Sequence, residues 1–488
     1  MTLVYSLVDA LLLSALSYEC FRVLQSSSYR LERGYFKLLL SVYFAALAAV
    51  QAAVITLRFY GVPHYVSSII YGAAALPFLL IKRKCPLKIT KRVCRLFAAQ
   101  FVILFVLSFF ALSVYCVVFL PFLTALSLLL CLPTDLIIAR YYIKKARLKL
   151  EKSNADVIAI TGSYGKTSVK DMLAVLLDCS LAPCGSCNTP LGIAAFINKA
   201  DLTGVKYVIL EFGARNKGDI AQLCKLYKPK YGIVTGVCAQ HLSTFKTFER
   251  VVETKRELVE YLPCNGLCVL NYADEYARSF VSYGVCSKVL SDDKTDVEAV
   301  KTDFDGTTLA VRVDGKEYDV TLPQISAYVA DTFAMCLRMT LSLSQDLEHT
   351  LARASDVVQT PHRMELLKTA AGYVIDDSYN GSIAGVTSCA KTLKNFNCVK
   401  TVITQGLAEC GRDRRRQNAE CGKILGEACD VAIVLGKNAK YLLEGLRLTN
   451  CKVLRAKSVA EAVELSKPYA VNGILLFQND LPDSVNVA

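Results

Sequence analysis

Seven residues, Thr161-Gly162-Ser163-Tyr164-Gly165-Lys166-Thr167, stand between a β-rich apolar run, Val157-Ile158-Ala159-Ile160, and a helical pattern that runs from Ser168 to Leu177. Strand, glycine-rich turn and helix in that order predict one unit of a parallel α/β sheet. Such a turn aims backbone N–H groups at a single point, and the helix N-terminus adds partial positive charge there, which makes a cradle for phosphate. Gly162, Ser163, Gly165 and Ser168 line the cradle. Lys166 is placed to reach terminal phosphates, and Thr167 to hold Mg²⁺.

A chain of 488 residues has room for about three domains at roughly 150 residues each. With 53% hydrophobic and 20% charged residues it is too apolar to be wholly soluble and too polar to lie wholly in a membrane. The apolar excess is concentrated in the first third, in residues 3–24, 36–57, 65–81, 96–120 and 122–143. Each stretch is at or near the ~20 residues that a helix needs to cross a hydrocarbon core. The expected organisation is an α-helical transmembrane region of about five helices at 1–150, then α/β domains at 151–344 and 345–488. The last boundary falls near Leu343 to Gln345, where a new strand and helix alternation begins.

The formal charge of +13 could point to nucleic acid, but much of it clusters beside the apolar stretches, at Lys82, Arg83, Lys84, Lys88, Lys91, Arg92 and Arg95, and at Lys144, Lys145, Arg147 and Lys149. With the amino terminus outside, these clusters and the loop holding Arg30, Arg33 and Lys37 all face the cytoplasm, as the positive-inside rule requires. Membrane, and no nucleic acid, is therefore the expected partner, with the α/β domains cytoplasmic. Met1 is followed by no basic segment and further apolar stretches come after the first, so a cleavable leader is not expected. Asp135 and Arg140 lie near the inner end of the last stretch, where snorkelling to the interface explains them. The twenty cysteines are scattered through apolar and α/β segments and read as reduced, mostly buried thiols. Cys179, Cys184 and Cys187 are not followed by a second group at zinc-ligand spacing.

The wider pattern resembles the Mur ligase family. The run TGSYGKTSVKDML is similar to that family's nucleotide loop, and the segments behind it keep the family's order. Val208-Ile209-Leu210-Glu211 resembles the strand bearing a magnesium-ligating carboxylate, here Glu211. Tyr231-Gly232-Ile233-Val234-Thr235 and Ala239-Gln240-His241-Leu242 resemble the next strand and its metal-side histidine, here His241. Val251-Val252-Glu253-Thr254-Lys255 resembles the segment whose lysine is carbamylated, here Lys255, and Val269-Leu270-Asn271 the one with an adenine-side asparagine, here Asn271. In the last third, Thr360-Pro361-His362-Arg363-Met364-Glu365 and Val374-Ile375-Asp376-Asp377-Ser378-Tyr379-Asn380 resemble the first motifs of the family's C-terminal, Rossmann-like domain. The resemblance, which covers about residues 151–488, implies that Arg363 reaches the phosphates of ATP and Asp377 its ribose.

It also implies ATP-dependent joining of a carboxylate to an amine. Phosphorylating the carboxylate gives an acyl phosphate that an amine can attack. Mg²⁺ would be held by Thr167, Glu211, His241 and the carbamate of Lys255, with Lys166, Lys255 and His241 as the catalytic set. The Asp-Asp-Ser-Tyr-Asn run most resembles the branch that adds D-alanyl-D-alanine to the muramyl tripeptide of peptidoglycan precursors.

Three departures bear on the acceptor. Membrane stretches stand where that branch has its UDP-sugar-binding domain. The family's Gly-x-His-Asn-x-x-Asn segment reads Ile325-Ser326-Ala327-Tyr328-Val329-Ala330-Asp331, and its terminal Gly-Ser-Arg turn is replaced by Gln478-Asn479-Asp480-Leu481-Pro482-Asp483. A ligase acting on a lipid-linked or polymeric cell-envelope carboxylate is the alternative, and a non-catalytic, nucleotide-binding membrane scaffold the alternative of another class. A transporter ATPase would need a second nucleotide half-site and a signature segment, and the sequence has neither.

Overall fold

The computed structural model describes residues 2–479 except 28, 32–34, 36–41, 81–85, 111, 240–241, 281–287, 291–294, 380, 409 and 411–412. It divides into a helical unit through Tyr141 and an α/β unit from Tyr142 onward.

The helical unit contains Thr2–Leu16, Tyr18–Ser26, Val42–Phe59, His64–Leu80, Lys91–Phe109 and the first part of Leu120–Ser153. Helix occurs in each of the five apolar stretches, but their bounds differ from the sequence expectation. The first stretch is broken at Ser17, whose hydroxyl donates back to Leu13 O at 2.9 Å and accepts from Gln100 Nε2 at 2.7 Å. The helix of the fourth stretch starts early, at Lys91, because Thr90 caps it by accepting from Val93 N at 3.2 Å. It ends at Phe109. Pro121 does not divide the last two stretches. It lies in the first turn of a 34-residue helix, where a missing N–H costs nothing, and the division falls instead around the 3₁₀ turn Leu112–Tyr115. Among the described residues, Lys91–Phe109 and Leu120–Ser153 are long and apolar enough to cross a bilayer, and Leu3–Leu16, Tyr43–Phe59 and Tyr65–Pro77 are shorter apolar helices.

Polarity in this unit is inverted relative to a protein in water. Asp9, Ser17, Gln100 and Thr124 are fully buried. Ser68 Oγ donates to Asp9 at 2.5 Å, and Thr124 Oγ1 donates to Gln100 Oε1 at 2.9 Å, so these groups satisfy one another inside the bundle. Leu3, Leu11, Val102, Leu129 and Ile137 are each more than half exposed on its outside.

The α/β unit begins with the end of the long helix, where Ala146 and Leu150 pack into the first core. Strands β1 (Asp156–Thr161), β2 (Ser180–Leu181), β3 (Tyr207–Glu211), β4 (Tyr231–Val234), β5 (Leu267–Leu270) and β6 (Lys288–Leu290) form a sheet in the order β2-β3-β1-β4-β5-β6. All its pairs are parallel. Both faces are covered, so the strands read as continuous apolar runs rather than alternating ones. On one face the helix Lys166–Leu176 packs Val169, Met172, Leu173 and Leu176 against Phe333, Cys336 and Leu337 of the helix Val329–Ser342. The antiparallel strands β7 (Thr295–Asp303), β8 (Gly306–Val313) and β9 (Lys316–Leu322) extend the same core through Leu309, Val311 and Leu322.

A second sheet holds β10 (Glu365–Lys368), β11 (Tyr373–Asp377), β12 (Lys400–Gly406), β13 (Val431–Val434), β14 (Lys452–Arg455) and β15 (Ile474–Asn479). Its order is β10-β11-β15-β12-β13-β14, parallel except for the β10 hairpin. The sequence places the domain boundary near Leu343 to Gln345. In the structure Leu347, Leu351, Ala354 and Val357 still pack with the core that holds the helices Lys166–Leu176 and Val329–Ser342, and the second sheet starts at Glu365.

Phe333 is fully buried where the two helices meet. Phe333→Ala is expected to cost about 3–5 kcal/mol of stability through lost burial and the cavity left behind. Thermal unfolding of the detergent-solubilised chain checks this, against a Leu448→Ala control at an exposed site that leaves the transition unmoved.

Candidate functional site

The site lies at the carboxyl ends of β1, β3, β4 and β11, where parallel sheets gather ligands because successive turns and helix N-termini converge. β1 ends in the phosphate turn. Gly162 has φ +152°, and a Cβ there would collide with Thr235 Oγ1, so only glycine lets the turn pass so close to the end of β4. Ser163 N donates to Gly236 O at 2.8 Å and Ser163 Oγ to Cys238 O at 3.1 Å, stitching the turn to residues 235–238. Gly165 opens the helix Lys166–Leu176 with no side-chain cap, which leaves the first N–H groups, around Thr167 and Ser168, directed at the turn for an anion to satisfy.

Lys166 is half-buried, and its Nζ donates to Gly162 O at 2.7 Å, across its own loop. Burial pulls its pKa below the usual lysine range, the Arg363 guanidinium adds to that, and Glu211 opposes it. Lys255, on the helix Phe248–Tyr261, is only 4% exposed. Burial, with the Lys166 charge beside it, pulls its amine down to about 7. An amine with that pKa is largely neutral at cellular pH, as carbamate formation from CO₂ requires.

Glu211 ends β3 and is 2% exposed. Thr167 Oγ1 donates to its Oε2 at 2.9 Å, and Asn188 Nδ2 approaches its Oε1 at 3.5 Å. No lysine or arginine salt-bridges it among the described residues. A buried carboxylate whose hydrogen-bonding neighbours are a hydroxyl and an amide is a donor set suited to Mg²⁺, with Thr167 and Glu211 as its oxygens. His241, the histidine expected on the metal side, lies outside the described residues.

Asn271 is present beside the site, but its amide is committed to backbone. Its Nδ2 donates to Thr235 O at 2.9 Å, and its Oδ1 accepts from Ala273 N at 3.0 Å. Asp274 does similar work unannounced by the sequence. Its Oδ2 accepts from Tyr164 OH at 2.9 Å and from Val237 N at 3.0 Å, which locks the phosphate turn to the β4 loop.

From the second sheet, Arg363 lies with its guanidinium carbon 4.3 Å from the Tyr379 ring centroid. Asp377, at the end of β11, accepts from Cys389 Sγ at 3.2 Å. Burial raises its carboxyl above the usual range, against the Cys389 bond and Arg363. His362, at φ +60°, shares a 2.7 Å hydrogen bond with Asp376 and supports the turn that carries Arg363. The divergent segment around Tyr328 joins the two domains. Ala327 N donates to Thr392 Oγ1 at 3.0 Å, Tyr328 OH donates to Ala384 O at 3.3 Å, and the Tyr328 ring lies 5.3 Å from that of Tyr164.

Lys166, Thr167, Glu211 and Lys255 thus gather at one sheet end, with Arg363 within electrostatic reach of Lys166. The arrangement is that of a two-domain, phosphate-binding transferase or ligase whose second domain delivers an arginine and a carboxylate.

Comparison with known proteins narrows the class. Residues 160–337 match the Mur ligase middle domain, and residues 362–477 match the domain described as "Mur ligase, glutamate ligase domain". The chain therefore carries the middle and C-terminal domains of the Mur ligase family. The UDP-N-acetylmuramoyl-tripeptide–D-alanyl-D-alanine ligase of Rickettsia prowazekii is 27% identical over 319 residues, 62% of this chain and 70% of that one. The Escherichia coli ligase of the same name is 25% identical over 335 residues, 64% of this chain and 73% of that one. The structure of MurF ligase from Thermotoga maritima in complex with ADP superposes with a TM-score of 0.63 at 21% identity, covering 71% of this chain and 82% of that one. MurF from Acinetobacter baumannii gives 0.64 at 19%, covering 71% and 78%, and these structures establish a shared fold.

If Lys255 titrates near 7, its carbamate is detectable. With ¹³CO₂ held at fixed concentration, a carbamate carbon signal is expected to grow between about pH 6 and about pH 8, because the neutral amine is the nucleophile and its fraction rises through that window. The signal is absent in Lys255→Arg.

Proposed function

We propose that this chain is an ATP-dependent carboxylate–amine ligase that forms a peptide bond, adding D-alanyl-D-alanine to a muramyl tripeptide at the membrane. One observation carries the reading: the uncapped phosphate turn, the Thr167–Glu211 pair and the buried Lys255 converge in the middle domain, and Arg363 is brought to them from the C-terminal domain. The names of the Rickettsia prowazekii and Escherichia coli relatives supply the two substrates.

Each residue has a place in this chemistry. The backbone of Gly162, Ser163, Gly165 and Ser168 cradles the ATP phosphates while Lys166 and Arg363 neutralise the terminal one. Asp377 holds the ribose, and Asn271 shapes the adenine side by fixing the turn after β5. The acceptor carboxylate takes the γ-phosphoryl group, giving an acyl phosphate and ADP. The amine then attacks the carbonyl carbon, the C–O bond to phosphate breaks, and inorganic phosphate leaves. Thr167, Glu211, the carbamate of Lys255 and His241 would hold Mg²⁺, which supplies charge neutralisation on the phosphates when bound. Docking of the C-terminal domain excludes water that would hydrolyse the acyl phosphate.

The inverted polarity of the first unit supports a multi-pass membrane anchor. Its outer face is apolar, and its hydrogen-bonded polar groups are inside. The basic residues beside its apolar stretches, such as Lys88, Arg92, Lys144 and Arg147, support a cytoplasmic α/β unit. The same anchor favours a second reading, in which the acceptor is a lipid-linked carboxylate that the tether keeps at high effective concentration.

Detergent-purified chain with ATP, Mg²⁺ and D-alanyl-D-alanine, offered UDP-muramyl-tripeptide or its lipid-linked counterpart, separates these readings by phosphate release and product mass. Product from the nucleotide-linked acceptor is expected, and Lys166→Ala should lower its rate by about 10²-fold or more. Product from the lipid-linked acceptor alone selects the second reading. Nucleotide binding with no product from either acceptor contradicts both.

A further inference from the structure

Tyr379 follows β11 and touches both sides of the site. Its ring lies under the Arg363 guanidinium at 4.3 Å, and its hydroxyl shares a 2.7 Å hydrogen bond with Ser186 Oγ of the middle domain, 193 residues earlier. Ser186 belongs to residues 182–189, which connect β2 to the helix Pro190–Lys199. This loop is pinned from beneath. Lys170, fully buried in the helix that follows the phosphate turn, donates from Nζ to Pro183 O at 2.7 Å and to Gly185 O at 2.6 Å. Its neighbour Asp171 pairs with Lys170 at 2.9 Å and accepts from Thr360 Oγ1 at 3.4 Å, just ahead of Arg363.

Two residues beyond Ser186, Asn188 reaches the candidate metal carboxylate. Its Nδ2 lies 3.5 Å from Glu211 Oε1, and its backbone carbonyl accepts from Gly213 N at 3.1 Å. A Cβ on Gly213 would stand 2.8 Å from the Asn188 side chain, so the loop and the strand end have no slack between them. A continuous path therefore runs from Arg363 through Tyr379, Ser186 and Asn188 to Glu211.

We propose that Tyr379 is a positioning residue that latches the C-terminal domain to this loop, so that Arg363 takes its place over the terminal phosphate only when the loop also holds Glu211 in register. The ring orients Arg363, and the hydroxyl reports through Ser186 that the domains have met. Lys170 makes the loop stiff enough to carry that contact, since a loop free to move would absorb the pull at Ser186 before it reached Asn188. The latch rests on the reading that Arg363 and Glu211 serve a bound nucleoside triphosphate.

The test compares binding of ADP and of a non-hydrolysable ATP analogue, with Mg²⁺, to full-length wild type, Tyr379→Phe, Ser186→Ala and the double variant, each checked for unchanged circular dichroism and thermal midpoint. Tyr379→Phe keeps the ring under Arg363 and removes only the latch hydroxyl. Both single variants are expected to weaken the triphosphate analogue about fivefold, the scale of one net hydrogen bond, and to leave ADP unchanged, because Arg363 addresses the terminal phosphate. The double variant is expected to lose no more than either single one, since both remove the same bond. Tyr379→Leu, which also removes the ring, should lose more. Additive losses, or equal losses for ADP and the analogue, overturn the latch. Variants that match a wild type binding both nucleotides overturn the latch alone, whereas a wild type that binds neither overturns the nucleotide reading together with it.

Discussion

Two lysines gathered beside the Glu211 carboxylate, Lys255 buried and Lys166 half-buried, set the terms for the rest of the α/β unit. Lys166 and Lys255 each have a lowered pKa from burial, the charge of Arg363 adds to this at Lys166 and that of Lys166 at Lys255, and Glu211 opposes the shift of both. Such a centre is costly without further negative charge. Phosphate at the uncapped turn and a carbamate on Lys255 would each bring an anion, and a metal on Glu211 and Thr167 would then bind the two together. The scaffold holds that frustration in place with groups that have no role in the chemistry. Asp274 ties the phosphate turn to the β4 loop, Thr161 Oγ1 donates to Phe212 O at 3.1 Å to fix the end of β3, and the Val329–Ser342 helix backs the helix Lys166–Leu176.

The parts of this centre carried by local chemistry were legible in the sequence. A strand that must turn abruptly into a helix around phosphate needs glycine at 162 and 165, lysine at 166 and a hydroxyl at 167, all within seven residues. Glu211 was found through the resemblance of its strand, Val208-Ile209-Leu210-Glu211, to the one that bears the family's magnesium-ligating carboxylate. What sequence could not supply were contacts between distant segments made by ordinary residue types. Tyr164 with Asp274 spans 110 positions, Ser186 with Tyr379 spans 193, and Lys170 looks like any helix lysine until the loop above it is seen. A short Gly, Ser and Asn loop running into Thr189-Pro190, a helix start, was the available hint for Ser186 and Asn188. Asn271 was visible as a residue, but its bonds to Thr235 and Ala273 make it a builder of the turn.

In the first third, composition announced apolar helices correctly and misjudged where they stop. Hydropathy adds residues without regard to hydrogen bonding, so it ran through Ser17 and through the 3₁₀ turn at Leu112–Tyr115, and it took Pro121 for a break although proline is at home in a first helical turn. The polar residues buried among these helices carry more information than the apolar ones. Asp9 with Ser68, and Ser17 with Gln100 and Thr124, place polar groups where only partners of the same bundle can satisfy them. The replaced Ile325 to Asp331 segment is likewise informative. Its backbone and Tyr328 bridge the two α/β domains, so the departure from the family's pattern is accommodated at a packing junction and leaves the phosphate turn intact.

In the ligase proposed here, Glu211 and Thr167 would form the seat of a divalent ion beside the phosphate turn. Electron paramagnetic resonance of Mn²⁺ titrated into the full chain with a non-hydrolysable ATP analogue tests it directly, with Glu211→Gln as the comparison. A nucleotide-dependent, bound Mn²⁺ spectrum is expected for the wild type and is lost or weakened at least about tenfold in Glu211→Gln. Equal Mn²⁺ binding by the two proteins would contradict it.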